Sequence, residues 1–194
     1  MIFIDGACTG NPGMGAGAAC FFDIKNSSLV RDDDVNDDDY LGNFEDSSSS
    51  SDENDDNDEG DNPHENLNND ISDMKLDYIC SSSINMGYTT NNMAEYTGLL
   101  LALMICSINK VDHISIRTDS ELIVKQVKGI NAVRNARLVY VMPIVHDLIK
   151  HFKSVQLDWI TRDQNSQADK VARDAAKSDI GRTFKNPDLF KIKF

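Results

Sequence analysis

The sequence predicts an α/β fold: a mixed five-stranded sheet with helices on both faces, carrying a long disordered acidic insertion. Three observations predict it. Short apolar runs bounded by Gly, Asn and Asp alternate with longer runs at helical spacing. The first three strand-like runs follow one another as hairpins do, whereas the later ones are separated by helices, which calls for parallel crossovers. One stretch, from about Asn26 to Asp77, abandons both patterns for Asp, Asn, Ser and Glu.

The elements follow in order. Ile2-Phe3-Ile4 is apolar on successive residues, as a strand buried on both faces should be, and Asp5-Gly6 is expected to end it. A glycine-rich turn, Gly10 to Gly15, leads to a second apolar run from Ala16 to Phe22. The glycines suggest a hairpin turn and not a phosphate loop, because no Gly-Lys-Ser/Thr follows and the next element reads as a strand. Tyr78 to Ile84 reads as a third strand. A helix is expected from Asn92 to about Asn109, apolar almost all round after Leu99 and therefore packed on most sides. His113 to Thr118 alternates as a strand. Asp119-Ser120 should cap a helix through Lys128, with Gly129 as its stop. Leu138 to Phe152 keeps helical spacing, with a kink or break expected at Pro143. Val155, Leu157 and Trp159 alternate with polar residues as a half-buried strand, and a last helix is expected over Ser166–Lys177. The tail over 181–194 gives no clear signal. The domain reading is therefore one unit over 1–180, interrupted by 31–77.

Charge divides the chain in the same way. The formal net charge is -13, which at first argues against nucleic acid. Residues 31–77, however, hold 19 of the 32 acidic side chains and only two of the 19 basic ones, so the other 147 residues carry +4. A mildly basic domain with an acidic insertion differs from an acidic protein. Such a segment buries too little apolar surface to offset its ordering entropy, and disorder is expected there. On composition it is an inert tether; the alternative is a nucleic-acid mimic competing for the basic face. It lacks the spaced Asp and Gly pattern of an EF-hand loop, so a calcium-binding reading ranks low. Four cysteines without paired spacing read as isolated thiols in a reducing compartment. No apolar run spans a bilayer and no signal peptide is read before the first strand, so the cytosol or nucleus is expected. The abrupt start leaves open a fragment of a longer protein.

Four carboxylates carry the chemistry: Asp5, Glu95, Asp119 and Asp169. Each has a structural explanation. Asp5-Gly6 makes a turn, Asn92/Glu95 and Ser166/Asp169 resemble capping boxes, and Asp119 serves as a helix cap. Their combination shifts the reading. Asp5 and Asp119 fall at the ends of strands expected to be neighbours, and Glu95 and Asp169 in the first turns of two helices. Ligands in α/β sheets gather at the carboxyl ends of strands. Four anions there repel one another unless divalent cations offset them. Hard oxygen donors without histidine or cysteine favour Mg²⁺ over zinc.

The arrangement resembles ribonuclease H of type 1. The motifs are Phe3-Ile4-Asp5-Gly6-Ala7 with Gly10-Asn11-Pro12-Gly13; Thr90-Asn91-Asn92-Met93-Ala94-Glu95; Thr118-Asp119-Ser120 with Val124 to Gly129; and Trp159 to Arg162 with Asn165 and Ala168-Asp169-Lys170-Val171-Ala172. They occur in the family's order and cover nearly all the chain outside the insertion. The Gln126-Val127-Lys128-Gly129 and Arg162-Asp163-Gln164-Asn165 pairing is most similar to the archaeal and plant branch, which shares its pattern with reverse-transcriptase-like domains. The resemblance implies a ribonuclease H-like fold and two-metal hydrolysis of the RNA strand of RNA/DNA hybrids, giving 5′-phosphate and 3′-hydroxyl ends. It implies that Asp5, Glu95, Asp119 and Asp169 bind two Mg²⁺ ions, with Mn²⁺ as the alternative. Asn11, Asn91 and Asn92 would then lie along the minor groove, reading the 2′-hydroxyl, and Arg162 would assist product release or meet a phosphate. Thr90, Ser120 and Gln126 are secondary candidates for strand contacts. The chain is read as a monomer.

Three departures temper this. A loop, Thr161 to Asn165, stands where the bacterial branch carries a histidine. A short link from Ile130 to Ala136 replaces the basic protrusion, so modest hybrid affinity is expected. No separate hybrid-binding domain falls within the chain. Two other readings are carried: a non-catalytic hybrid- or RNA-binding module, and a ribonuclease H fragment of a retroelement. Clustered negative charge facing phosphates argues against the first.

Overall fold

A computed structural model describes residues 1–25, 74–179 and, for their backbone, 181–184. Successive side chains of the first strand, β1 (Ile2–Gly10), enter opposite cores. Ile2 and Ile4 join a cluster with Tyr96, Leu99 and Leu103 on one side, while Phe3 joins Ile160, Ala168, Val171 and Ala172 on the other. This is the two-sided burial that the unbroken apolar run implies. β1 pairs antiparallel with β2 (Gly13–Lys25), which pairs antiparallel with β3 (Lys75–Thr89). The helix α1 (Asn91–Ile108) follows, then β4 (His113–Thr118), α2 (Glu121–Val127), α3 (Ala136–Ile149) and β5 (Ser154–Trp159). A 3₁₀ turn (Arg162–Asn165) leads into α4 (Ser166–Ala176), and β6 (Gly181–Phe184) ends the described chain. The sheet order is β5-β4-β1-β2-β3-β6, with β4 parallel to both β1 and β5.

All five expected strands are present, and a short sixth is added at the β3 edge, within the stretch read as a tail. Several boundaries move. β1 does not end at Asp5-Gly6; it runs on to Gly10, because its hydrogen bonds to β2 continue beyond the apolar residues. The hairpin turn is reduced to Asn11-Pro12. Residues 75–77, assigned to the insertion, belong to β3: Lys75, Leu76 and Asp77 pair with Lys25, Ile24 and Asp23. The insertion reading otherwise falls on residues 26–73, outside those described. α3 runs through Pro143 unbroken. The carbonyl that loses its partner to the proline is that of Val139, an exposed residue that water can reach. Gly129 follows α2 with a φ of 74°, the left-handed stop expected of it.

α1 lies unusually close to the sheet. A Cβ on Gly6 would sit 2.0 Å from the backbone nitrogen of Glu95, and one on Gly17 would sit 2.5 Å from that of Gly98. The helix backbone therefore rests directly on β1 and β2, which fixes Glu95 beside the residue after Asp5. No helix among the described residues is long and apolar enough to cross a membrane.

Candidate active site

Asp5 lies within β1 just past the last residues that pair with β4, Ile2 with Ile116 and Phe3 with Arg117. β4 stops at Thr118, so β1 projects beyond it, and Asp119 is the first residue after that stop. A parallel pair of unequal length thus places two carboxylates at one sheet end. Asn165 links them. Its side-chain nitrogen donates to the carbonyl of Ile4 at 2.9 Å and to Asp119 Oδ1 at 2.6 Å. Asn165 is fully buried, and Trp159 Nε1 donates to the Asp119 carbonyl at 3.2 Å.

The capping explanations do not hold for these carboxylates. Thr90 caps α1, its hydroxyl accepting from the Met93 N–H at 3.4 Å, so Glu95 sits beyond the capping position. Ser120, not Asp119, is the N-cap residue of α2, and α4 starts after Asn165 with no side-chain cap bond. A capping box does join Thr161 and Gln164, ahead of α4.

The electrostatics join the four groups. Burial, and then the charge of Asp119, push the Asp5 carboxyl up to about 7, against the Gly6 N–H that donates to Oδ1 at 2.7 Å. Burial, and then the charges of Asp5 and Asp119, push Glu95 up to about 8. Asp169 adds to the field at Asp5. Glu95 Oε1 accepts from Asn91 Nδ2 at 3.2 Å, while Oε2 is buried without a hydrogen-bond partner. Asp169 Oδ1 accepts from Arg162 Nη2 at 3.1 Å, and Arg173 donates to Oδ2.

Among the described residues, no three His, Cys, Asp or Glu side chains stand close enough, as placed, to hold a metal ion. The donor chemistry nevertheless fits a hard divalent cation. The donors are carboxylate oxygens, two of the carboxyls resist ionisation without a counter-charge, and a buried acceptor on Glu95 has no donor facing it. Asp119 and Asp169 are meanwhile held by Asn165 and by the two arginines.

The expected substrate residues fall around this centre. Asn11 Oδ1, at the hairpin turn, accepts from the Asn91 N–H at 3.1 Å, which ties the turn to the start of α1. Asn92 is exposed on the first turn of that helix. Arg162, with a 72% exposed side chain, stands at the rim. Gln126 turns inward. It accepts from the Tyr96 hydroxyl at 2.9 Å and donates to the Ala132 carbonyl at 3.4 Å, so it braces α2 against α1 and does not face a strand.

Two residues emerge that sequence reasoning gave no role. Asn85 is buried in β3, and its amide nitrogen donates to the carbonyls of Ala175 and Ser178 at 3.1 and 2.7 Å, anchoring the end of α4. The sequence offered no signal for it, because the expected strand stopped at Ile84 whereas β3 runs on to Thr89. The other is Arg173, whose signal was its spacing four residues after Asp169.

A family model described as reverse transcriptase-like matches residues 71–175. A bifunctional protein of Mycobacterium tuberculosis is 30% identical over 114 residues, which is 59% of this chain and 31% of that protein. Ribonuclease HI of Halobacterium salinarum is 31% identical over 90 residues, 46% of this chain and 45% of that one. The chain thus spans about a third to a half of the length of these relatives. Among solved structures, the RNase H1 of Halobacterium salinarum superposes with a TM-score of 0.60 at 21% identity, covering 90% of this chain and 94% of that one. LC11-RNase H1, solved in complex with an RNA/DNA hybrid, gives 0.58 at 22% identity with the same coverage of 90% and 94%. These likenesses show a common fold.

Proposed function

The chain belongs to the type 1 ribonuclease H family, and from that premise we propose that it hydrolyses the RNA strand of RNA/DNA hybrids. The observation that carries the reading is that Asp5, Glu95 and Asp119 act on one another's charge, that Asp169 adds to the field at Asp5, and that a buried oxygen of Glu95 has no donor. Asp5, Glu95, Asp119 and Asp169 would hold two Mg²⁺ ions, with Mn²⁺ as the alternative. When bound, such ions activate water as the nucleophile and stabilise the leaving 3′ oxygen.

The protein's own residues supply position and charge. Asn165 holds the Asp119 carboxylate in register with β1, and the Asn91 amide fixes one oxygen of Glu95. Asn11, Asn91 and Asn92 share the edge next to Glu95. Their amides offer both donors and acceptors, which suits the minor groove and the 2′-hydroxyl that distinguishes RNA. Arg162 at the rim suits a phosphate. The hybrid bound to LC11-RNase H1 supports the same substrate class here. A purely binding module is the second reading, and the buried anionic cluster disfavours it because it repels the backbone phosphates.

A gel assay on labelled hybrid, duplex RNA and duplex DNA, with Mg²⁺ and with EDTA, tests the proposal. Cleavage confined to the RNA strand of the hybrid, lost with EDTA and leaving 5′-phosphate and 3′-hydroxyl ends, is expected. Binding of the hybrid without cleavage in either Mg²⁺ or Mn²⁺ would contradict it.

A further inference from the structure

Asp169 is the one carboxylate of the four held by cations of the protein itself, and the inference drawn from this rests on the proposed dication site. Its Oδ1 accepts from Arg162 and its Oδ2 from Arg173. The anion lies inside and the cations outside: Asp169 is 7% exposed, while Arg162 and Arg173 are 72% and 57% exposed. The two arginines differ in how they reach it. Arg162 begins the 3₁₀ turn before α4. Arg173 lies one turn further along the same helix, at the spacing of four residues that brings side chains together on one face. That second contact joins two residues of α4 and needs no loop to place it.

We propose that Arg173 is a positioning residue that competes with the dication for Asp169. The guanidinium holds and neutralises the carboxylate. A cation that takes an oxygen of Asp169 must displace Arg173 or share the anion with it, and two cations sharing one carboxylate repel each other. Arg173 thereby sets the dication concentration at which the site fills. The arrangement of the other groups agrees. Among the described residues no arginine is bonded to the carboxyl of Asp5 or Glu95, and Glu95 keeps a buried oxygen without a donor, so Asp169 is where a protein cation and a dication would meet.

The direction of the effect separates this role from a structural one. Loss of a merely structural arginine loosens the site and weakens dication binding, whereas loss of a competitor tightens it. The test is calorimetric titration of the full chain with MgCl₂ in the absence of nucleic acid. Asp169→Asn serves as the reference that accounts for cation taken up elsewhere. Arg173→Ala and Arg173→Gln are expected to bind Mg²⁺ roughly two- to fivefold more tightly than wild type, the range open to a half-exposed ion pair. Arg173→Lys, which restores a charge at the same helical spacing, is expected to return close to wild type. Should Arg173→Ala fail to fold, Arg173→Gln carries the same comparison with the side-chain stem retained. Unchanged or weaker binding in the neutral variants would overturn the inference, as would a Lys variant as tight as the Ala variant. A wild-type chain with no Asp169-dependent uptake of Mg²⁺ would overturn the dication site as well, so the two failures are distinguishable.

Discussion

Asn165 places one side-chain nitrogen between two partners, the Ile4 carbonyl beside Asp5 and the carboxylate of Asp119. Replacing it with Ala leaves a buried carbonyl and a partly buried carboxylate short of a donor. Unmet groups of this kind cost about 1–3 kcal/mol. Asn165→Ala should therefore lower the unfolding free energy by that amount, and cleavage measured well below the denaturation midpoint should fall further than stability alone explains. A variant that loses stability but cleaves at the wild-type rate would remove Asn165 from the site. A second expectation concerns pH. Asp5 is raised from 3.8 to about 7 and Glu95 from 4.5 to about 8, so both ionise less readily in the fold than in the unfolded chain. Their contribution to stability is complete below about pH 4 and is lost progressively as pH rises toward about 7–8. In EDTA, then, the denaturation midpoint should fall between about pH 5 and about pH 8, and Mg²⁺ should restore more of it at the higher pH. A midpoint in EDTA that rises over this interval would contradict the buried-carboxylate geometry.

The contact between α1 and the sheet belongs to the scale of elements. Backbone faces backbone there, so a methyl group has no flexible side chain to push aside. A Cβ on Gly98 would meet the Ala18 carbonyl oxygen at 2.7 Å and that of Asp5 at 2.8 Å. Gly98→Ala should destabilise the protein by about 1–3 kcal/mol or more and lift Glu95 away from Asp5, which differential scanning calorimetry and a cleavage assay would detect together. An unchanged melting temperature would mean that the helix sits further from the sheet than described. The sequence made this helix legible through its apolar run and Thr90, because burial and capping leave periodic local marks. It did not reveal how close the helix lies, since Gly98 looks like an ordinary helix glycine until the strands beneath are known. The same limit explains β1. Its apolar run stops at Ile4, but the hydrogen-bond ladder to β2 does not, so Asp5 appeared to end a strand that it occupies the middle of. β6 was hidden because four residues are too few for a period to show. The four carboxylates were read as a set from expected places at strand and helix ends, and for Asp5 that place proves to be within the strand. Asn85 and Arg173 were not, because each acts on a neighbour brought to it by the fold or by one helical turn.

For the molecule as a whole, the sheet closes without the acidic stretch. β2 and β3 pair up to Lys25 with Lys75, so a short turn is all the geometry needs between them. Replacing residues 27–73 with a two-residue Asn-Gly turn should leave folding and hybrid cleavage intact, as judged by circular dichroism and initial rates. A sharp rise in hybrid affinity at low salt would instead support competition by the acidic segment for the basic face. The net charge of +4 outside 31–77 gives the rest of the chain a modest pull on a polyanion, so its site chemistry and not its overall field should decide what is cut. That places the weight of the account on the proposed joint action of four anions at one end of the sheet. The most direct test is the rate at which Asp119→Asn cleaves a labelled RNA/DNA hybrid in Mg²⁺, with its fold checked by circular dichroism. The substitution keeps the oxygen that Asn165 binds and removes only the charge. Cleavage should fall to background in a folded protein; cleavage at the wild-type rate would contradict the account.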